Sequence, residues 1–201
     1  MKTVVIGAGG VGGYFGGILA QAGFDTTFLT RGESLNVIQT KGLHIKSILG
    51  SFKVHPAATD DFSVVKDADL ILLCVKSWQI EPIAIQLRPL LKDDATVIPL
   101  QNGADNAVRL SEILPRENVI GGLCRIVSKI ESPGVIDHFG YEPEIVFGEI
   151  DNSLSKRVIN IKKVFDKAGF KNRNSENIQR DIWIKFLFIV SISAAGALTR
   201  S

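Results

Sequence analysis

Residues 3–12 read Thr3-Val4-Val5-Ile6-Gly7-Ala8-Gly9-Gly10-Val11-Gly12, a β-branched run that leads directly into a G-x-G-x-x-G pattern. The first four of these residues predict a short buried strand. Residues 10–22 carry apolar side chains at helical spacing, and Gly23 follows them as a typical helix C-cap. Residues 25–29 predict a second strand. The chain therefore begins with a βαβ unit.

The glycines of this turn have separate roles if it binds a dinucleotide. Gly7 permits the turn, Gly9 lets the backbone approach a pyrophosphate, and Gly12 allows the helix and strand to pack closely. The helix N-terminus offers free N–H groups and a partial positive charge to phosphates. A structural turn without a ligand is the alternative. We expect the whole loop to bind a dinucleotide cofactor, through Gly7, Ala8, Gly9, Gly10, Val11 and Gly12.

The end of the second strand indicates which dinucleotide is bound. An NAD site places an acidic residue there, roughly 20 residues after the glycines, to bind the ribose 2′-hydroxyl. This sequence has Arg31 instead, and no carboxylate occurs before Glu33. A guanidinium can donate two parallel hydrogen bonds to a 2′-phosphate and neutralise its charge. Arg31 therefore favours NADP, with a solvated surface arginine as the alternative.

Strands and helices alternate through the first 115 residues, which is typical of a doubly wound sheet. Buried strands are predicted at 69–75 and 96–100, and helices at 80–91 and 104–114. Residues 42–54 predict a two-stranded ribbon, and residues 119–150 predict antiparallel strands. The predicted fold class is α/β: a Rossmann-type, doubly wound, mostly parallel sheet with an added antiparallel portion, followed by the start of a helical domain.

The last quarter of the chain predicts helices. Residues 155–168 are amphipathic and end at Gly169, whereas residues 177–198 are apolar on nearly every face. A helix of the second kind belongs inside a core. We therefore predict an NADP-binding domain over residues 1–175, and the first helix of a C-terminal helical domain, cut short, over residues 176–201.

Composition narrows the class of protein. A hydrophobic fraction of 45%, a charged fraction of 22% and a net charge of +2 are ordinary for a globular protein and give no reason to expect nucleic acid. Cys74 and Cys124 have no neighbours at metal-ligand spacing, so we expect no metal. The N-terminus lacks the form of a signal peptide, and the apolar run 186–198 is shorter than the roughly 20 residues of a membrane span. We expect a cytoplasmic protein that does not contact a membrane.

Three polar residues are candidates for chemistry. Lys76 and Asn102 each follow a predicted buried strand, so they face the crevice beyond the carboxyl ends of the sheet, where ligands bind. Lys185 lies in the middle of the apolar helix, and burial there lowers a lysine pKa and suits it to donate a proton. The alternatives are ordinary strand-end polar residues and a lysine that snorkels to solvent.

The sequence resembles the ketopantoate reductases, also called 2-dehydropantoate 2-reductases, over essentially its whole length. The pairing of a Lys-x-Trp-Gln motif with a later Trp-x-Lys motif is the most specific part of this resemblance. The matching segments are Gly7 to Gly12, Val75-Lys76-Ser77-Trp78-Gln79, Gln101-Asn102-Gly103, Ser132-Pro133-Gly134-Val135 and Trp183-Ile184-Lys185-Phe186.

The resemblance implies a role for each candidate. Lys185 is implied to be the catalytic proton donor. Lys76, Asn102 and Ser128 are implied to contact the cofactor, and Arg31 to hold its 2′-phosphate. Substrate contacts are implied for Asn102, Lys185 and Ser193.

The chain departs from the family pattern in two respects. The family usually carries asparagines four and eight residues after the lysine, where this sequence has Ile189 and Ser193. Losing an amide at a hydrogen-bonding site changes substrate choice. Family members also continue into a helical domain with further contacts, so we expect that residues 1–201 alone could be inactive.

The sequence therefore predicts an NADPH-dependent oxidoreductase that reduces a 2-oxo acid to a 2-hydroxy acid. The reaction implied by the resemblance converts 2-dehydropantoate to pantoate in pantothenate biosynthesis. Two alternatives stay open: an NADP-dependent 2-hydroxy-acid dehydrogenase of other specificity, which Ile189 favours, and a non-catalytic NADP-binding module, which Lys185 disfavours. The partner is expected to be a small 2-oxo acid, and a homodimer is left open.

Overall fold

The computed structural model describes residues 1–200, which form twelve strands and six α-helices. In chain order the strands are β1 (Thr3–Ile6), β2 (Thr26–Leu29), β3 (Leu43–Ser47), β4 (Phe52–Val54), β5 (Ala57–Thr59), β6 (Leu70–Leu73), β7 (Thr96–Pro99), β8 (Gly121–Arg125), β9 (Ser128–Ser132), β10 (Val135–His138), β11 (Glu144–Gly148) and β12 (Lys171–Asn174). The helices are α1 (Gly10–Gln21), α2 (Gly32–Lys41), α3 (Ile80–Leu87), α4 (Asn106–Ser111), α5 (Lys156–Ala168) and α6 (Ile178–Thr199).

A five-stranded parallel sheet in the order β5-β2-β1-β6-β7 forms the centre of the molecule. Side chains of β1 alternate between its two faces. Val5 packs with Phe15 of α1, whereas Val4 belongs to a separate cluster with Ile80 of α3 and Leu110 of α4. Because both faces are covered, the strands are mostly apolar, and the polar residues buried in them are threonines. The predicted doubly wound, Rossmann-type sheet is confirmed.

Two smaller sheets form the added β portion, in the orders β4-β3-β10-β9 and β12-β11-β8. The β3–β4 ribbon is antiparallel as predicted, and β8 pairs with β11 in the same way. Both sheets are nevertheless mixed, because β10 pairs with β3 in parallel and β11 pairs with β12 in parallel. Those two partners come from outside residues 119–150, so alternation within that segment does not predict the pairing.

Three elements were not predicted, and each buries little apolar surface. Helix α2 buries only Ile38. Strand β5 has three residues at one edge of the parallel sheet, and β12 reads Lys-Asn-Arg-Asn at the edge of its own sheet. Without a repeating apolar pattern, such elements leave no periodic signal in the sequence.

Helix α6 is anchored by its first turns. The side chain of Asn177 caps it by accepting a hydrogen bond from the Arg180 backbone N–H at 2.9 Å. Ile178 and Ile182 are its buried residues, and they pack with Leu123 of β8 and with β11. This contact places the following turn of α6 beside the carboxyl end of the central sheet.

Most of the apolar surface of α6 beyond those turns is exposed. The exposed side chains are Trp183, Ile184, Leu187, Phe188, Val190, Ile192 and Leu198. By length and composition the helix is able to cross a membrane, because it has 22 residues and its apolar part is longer than the run 186–198 considered in the sequence. One such helix is weak evidence for a membrane span, so the absence of membrane contact stays a prediction. The division into two domains at residue 175 also stays a prediction.

Candidate active site

A cleft of about 1040 Å³ opens at the carboxyl ends of β1, β6 and β7. Its floor consists of the segments that directly follow these strands, residues 9–11, 74–78 and 100–102. Residues of β8, β9 and α6 form the opposite wall. In a doubly wound sheet this edge is where ligands bind.

The glycine loop has the geometry that a phosphate cradle needs. Gly7 has a φ of +100°, a left-handed conformation that L side chains rarely adopt. A Cβ on Gly12 would lie 2.0 Å from the Gly7 carbonyl oxygen, so helix and strand could not pack as they do. A Cβ on Gly9 would meet no atom within 4 Å, which leaves the backbone at the start of α1 open to the cleft. No side chain caps α1 and its first turn holds no acid, so its N–H groups remain available to an anion.

Arg31 lies beside this loop rather than in the cleft. The Gly7 N–H donates to the Leu29 carbonyl at 3.0 Å, which holds the end of β2 against the glycine turn. Arg31 is the exposed N-cap residue of α2, two positions further on. Within residues 1–200 its guanidinium forms no ion pair, so its positive charge is available to a ligand that extends past the loop.

Lys185 and Asn102 are brought together across the cleft. The Lys185 Nζ donates a hydrogen bond to the Asn102 Oδ1 at 2.8 Å, although 83 positions separate them in the chain. Lys185 is half-buried, and burial lowers its pKa from the ordinary value of 10.5. The nearby Cys124 raises that pKa and the positive charge of Arg125 lowers it further, but burial is the largest cause. A lysine with a lowered pKa gives up its proton more readily.

Lys76 and Ser128 also line the cleft. Lys76 is exposed at the start of a short 3-10 turn, where its backbone N–H donates to the Gln79 Oε1 at 3.2 Å. The Ser128 Oγ lies 2.7 Å from where a Cβ on Gly10 would be, so this hydroxyl directly adjoins the glycine loop. Both residues are therefore positioned beside the predicted cofactor path.

Ser193 is not part of this cleft. It lies two helical turns beyond Lys185, and it borders a separate shallow cavity formed by the exposed end of α6. Ile189 does line the cleft, together with Ile184 and Phe188. The surface next to Lys185 on α6 is thus apolar, and the substrate contact implied for Ser193 stays a prediction.

Two residues of the site were missed in the sequence. Arg125 lines the cleft at the end of β8, where it interrupts an otherwise apolar strand; that interruption was the signal available. Gln101 is 8% exposed, and neither of its side-chain amide atoms has a hydrogen-bond partner within residues 1–200. It also borders a small cavity beside Lys185 and Asn102. The segment Gln101-Asn102-Gly103 matches the family, but nothing in the sequence showed that this glutamine would be buried without hydrogen-bond partners.

The match to a family profile agrees with this geometry. Residues 3–152 match the family described as ketopantoate reductase PanE/ApbA. The chain belongs to this family. Its curated relatives include the Bacillus subtilis oxidoreductase YkpB, 31% identical over 191 residues, which cover 95% of this chain and 63% of that protein. A 2-dehydropantoate 2-reductase of Halobacterium salinarum is 34% identical over 200 residues, which cover 98% of this chain and 65% of that protein.

Solved structures of ketopantoate reductases share the fold. A 2-dehydropantoate 2-reductase from Porphyromonas gingivalis superposes with a TM-score of 0.94 at 28% identity, covering 100% of this chain and 73% of that one. A D-mandelate dehydrogenase, solved as a ternary structure with NADH and anilino(oxo)acetate, gives a TM-score of 0.81 at 25% identity, covering 92% and 60%. The chain spans about 63–65% of the length of the first two curated relatives.

Proposed function

We propose that this chain binds NADPH in the cleft and acts in the reduction of a 2-oxo acid to a 2-hydroxy acid, with 2-dehydropantoate as the substrate and pantoate as the product. The observation that carries the proposal is the Lys185–Asn102 hydrogen bond, 2.8 Å long, in the same cleft as the glycine loop. This contact supports a proton-donor role for Lys185 beside the predicted site of a dinucleotide. The membership of the ketopantoate reductase family supports this assignment.

The residues present fit a phosphorylated dinucleotide. The open backbone at Gly9 and the uncapped start of α1 suit a pyrophosphate, and the free guanidinium of Arg31 suits a 2′-phosphate. When bound, NADPH supplies a hydride to the C2 carbonyl of the substrate. The D-mandelate dehydrogenase was solved with NADH, so membership of this fold does not determine the choice between NADH and NADPH. Arg31 is the residue that supports NADPH.

Lys185 supplies the acid chemistry in this proposal. Negative charge develops on the substrate carbonyl oxygen as the carbonyl is reduced, and a nearby ammonium stabilises that charge most strongly in the transition state. Lys185 then transfers its proton to the oxygen. Asn102 holds the Lys185 Nζ in position through its Oδ1, which leaves the remaining ammonium hydrogens free to face the substrate. Because burial lowers the Lys185 pKa, the proton transfer is easier than from a solvated lysine.

A second candidate function keeps the chemistry and changes the substrate. Ile184, Phe188 and Ile189 present an apolar surface beside Lys185. Such a surface suits a 2-oxo acid with a larger apolar or aromatic side chain, and the D-mandelate dehydrogenase shares this fold. The non-catalytic binding module is disfavoured, because cofactor binding alone does not require a half-buried lysine bonded to Asn102.

The proposed function is tested by cofactor titration and by turnover. NADPH and NADH are titrated by fluorescence, and NADPH oxidation is then followed with 2-dehydropantoate, an aliphatic 2-oxo acid and an aromatic 2-oxo acid. Preferred reduction of 2-dehydropantoate supports the first candidate, and preferred reduction of the aromatic acid supports the second. Tight NADPH binding without reduction of any 2-oxo acid would support the binding module. A cytoplasmic location, which the two free cysteines suit, is part of this proposal. Whether the chain forms a homodimer stays open.

A further inference from the structure

We propose that Arg125 binds the carboxylate of the substrate and thereby makes the site selective for 2-oxo acids over neutral carbonyl compounds. This inference rests on the proposed function, and it adds a residue to which neither the sequence motifs nor the family match assigns a role. Arg125 lies at the end of β8, lines the cleft with Lys185, and is close enough for its charge to act on that lysine.

The charges around the cleft favour an anion. Four cationic side chains line it, and within residues 1–200 no aspartate or glutamate does; the four are Lys76, Arg125, Lys129 and Lys185. Lys76 adjoins the glycine loop, where phosphates are expected. The Lys129 side chain is 61% exposed and lies over the ring of Phe139, and of Lys129 and Arg125 only Arg125 is close enough for its charge to act on Lys185. Arg125 is therefore the cation best placed to serve the substrate together with Lys185.

Arg125 is held firmly but is not fully used. Its Nη1 donates to the Glu144 Oε2 at 2.6 Å, across the antiparallel pair formed by β8 and β11. The Glu144 side chain is 12% exposed and that of Arg125 is 35% exposed, so one end of the guanidinium is anchored while the rest reaches the cleft. The Nε and Nη2 groups donate no other hydrogen bond within residues 1–200. A planar guanidinium anchored in this way keeps donors free for a second carboxylate.

The chemistry of a 2-oxo acid matches two cations of different roles in one cleft. Its carboxylate is directly bonded to the carbonyl carbon, so the two oxygen-bearing groups must be bound side by side. A guanidinium suits a carboxylate because it can donate two parallel hydrogen bonds to it, whereas Lys185 can donate a proton to the carbonyl oxygen. Binding the carboxylate at Arg125 would fix which oxygen faces Lys185.

The test compares acid and amide substrates in the unmodified protein and in Arg125→Gln. With a 2-oxo acid, kcat/KM should fall about 10- to 100-fold in the variant, as expected for the loss of a charged hydrogen bond. With the corresponding primary amide, kcat/KM should change less than about threefold, and NADPH affinity should be unaltered. The matched control is Arg109→Gln, which removes a cation bonded to Glu81 and should leave the acid-to-amide ratio unchanged.

Removing Arg125 leaves the half-buried Glu144 without its partner, so a second variant controls for misfolding. Arg125→Gln/Glu144→Gln removes both charges and should show the same loss of acid selectivity. Arg125→Lys keeps a positive charge and should retain part of the acid selectivity. If kcat/KM falls equally for the acid and the amide, or if the acid-to-amide ratio is unchanged in a folded variant, the proposed role of Arg125 is wrong while the proposed function stands. If the unmodified protein binds NADPH but reduces neither compound, the proposed function fails and this inference fails with it.

Discussion

Replacing Lys185 with alanine tests the chemistry of the site most directly. The substitution removes the ammonium that donates to Asn102 and leaves the glycine loop and Arg31, which lie elsewhere along the predicted cofactor path, untouched. If Lys185 is the proton donor, its contribution belongs to the transition state, when charge appears on the substrate oxygen. The loss should therefore appear in kcat and leave NADPH affinity nearly unchanged.

The expected magnitude follows from the role. A positioned acid contributes about 10²- to 10⁴-fold, so kcat of Lys185→Ala should fall by that factor. The unmodified enzyme should lose activity as pH rises through the pKa of Lys185, because only the ammonium form can donate. Burial lowers that pKa, so this alkaline limb should lie below pH 10.5, and it should be absent from the residual activity of the variant.

Steady-state kinetics with a reducible 2-oxo acid, recorded as a pH series, measure both effects. Arg180→Ala is a matched control, because Arg180 is a cation exposed on the same helix but outside the cleft. It should retain normal kcat and the alkaline limb. A folded Lys185→Ala enzyme with the kcat of the unmodified protein would refute the catalytic role and leave Lys185 as a snorkelling residue.

Three further predictions concern the cofactor and the exposed helix. Arg31→Ala should weaken NADPH binding by roughly 1.5–3 kcal/mol and leave NADH binding unchanged; equal affinities for both cofactors in the unmodified protein, measured by fluorescence titration, contradict the NADP assignment. Gly12→Ala should lower the free energy of unfolding by about 3 kcal/mol, because its Cβ would meet the Gly7 carbonyl. Gly9→Ala should fold normally, because its Cβ meets no protein atom, but it should bind NADPH more weakly, because that Cβ occupies the space of the pyrophosphate. Thermal denaturation distinguishes the two variants. The 201-residue chain should self-associate through α6, and Leu187→Lys should reduce this association in light scattering; a chain that stays monomeric at high concentration argues against it.

The sequence predicted the parts of the site that depend on local backbone chemistry. The order of strand, glycine turn and helix predicted the cofactor loop, because L side chains rarely adopt the conformation at Gly7 and a Cβ would not fit at Gly12. Lys185 was recognisable because a lysine within an apolar helix is unusual. Asn102 was predicted to face the crevice and Lys185 was not, because the helix angle that brings the two side chains to 2.8 Å depends on packing that no local pattern contains.

The features that the sequence did not predict depend on pairing between strands that are distant in the chain. Arg125 could be read only as a charged residue at the end of a strand, because its partner Glu144 and its approach to Lys185 follow from the register of β8 with β11. The parallel partners of β10 and β11 likewise come from distant segments. Gln101 belongs to a segment that matches the family, but the lack of hydrogen-bond partners for its amide becomes visible only when its neighbours are placed.

Helix α6 is anchored at Ile182, and Lys185 lies close to that anchor. Ile182 is the last buried residue of the helix, and Lys185 follows it by three positions, about 4.5 Å along the axis, whereas Thr199 is about 26 Å away. If the helix tilts by about 10° around Ile182, the backbone at Lys185 moves by about 0.8 Å and the far end by about 4.5 Å. The distal turns can therefore swing through several ångströms, as far as any surface packed against them allows, while the lysine stays within reach of Asn102. Large movements of the distal end of α6 therefore produce only small displacements of Lys185.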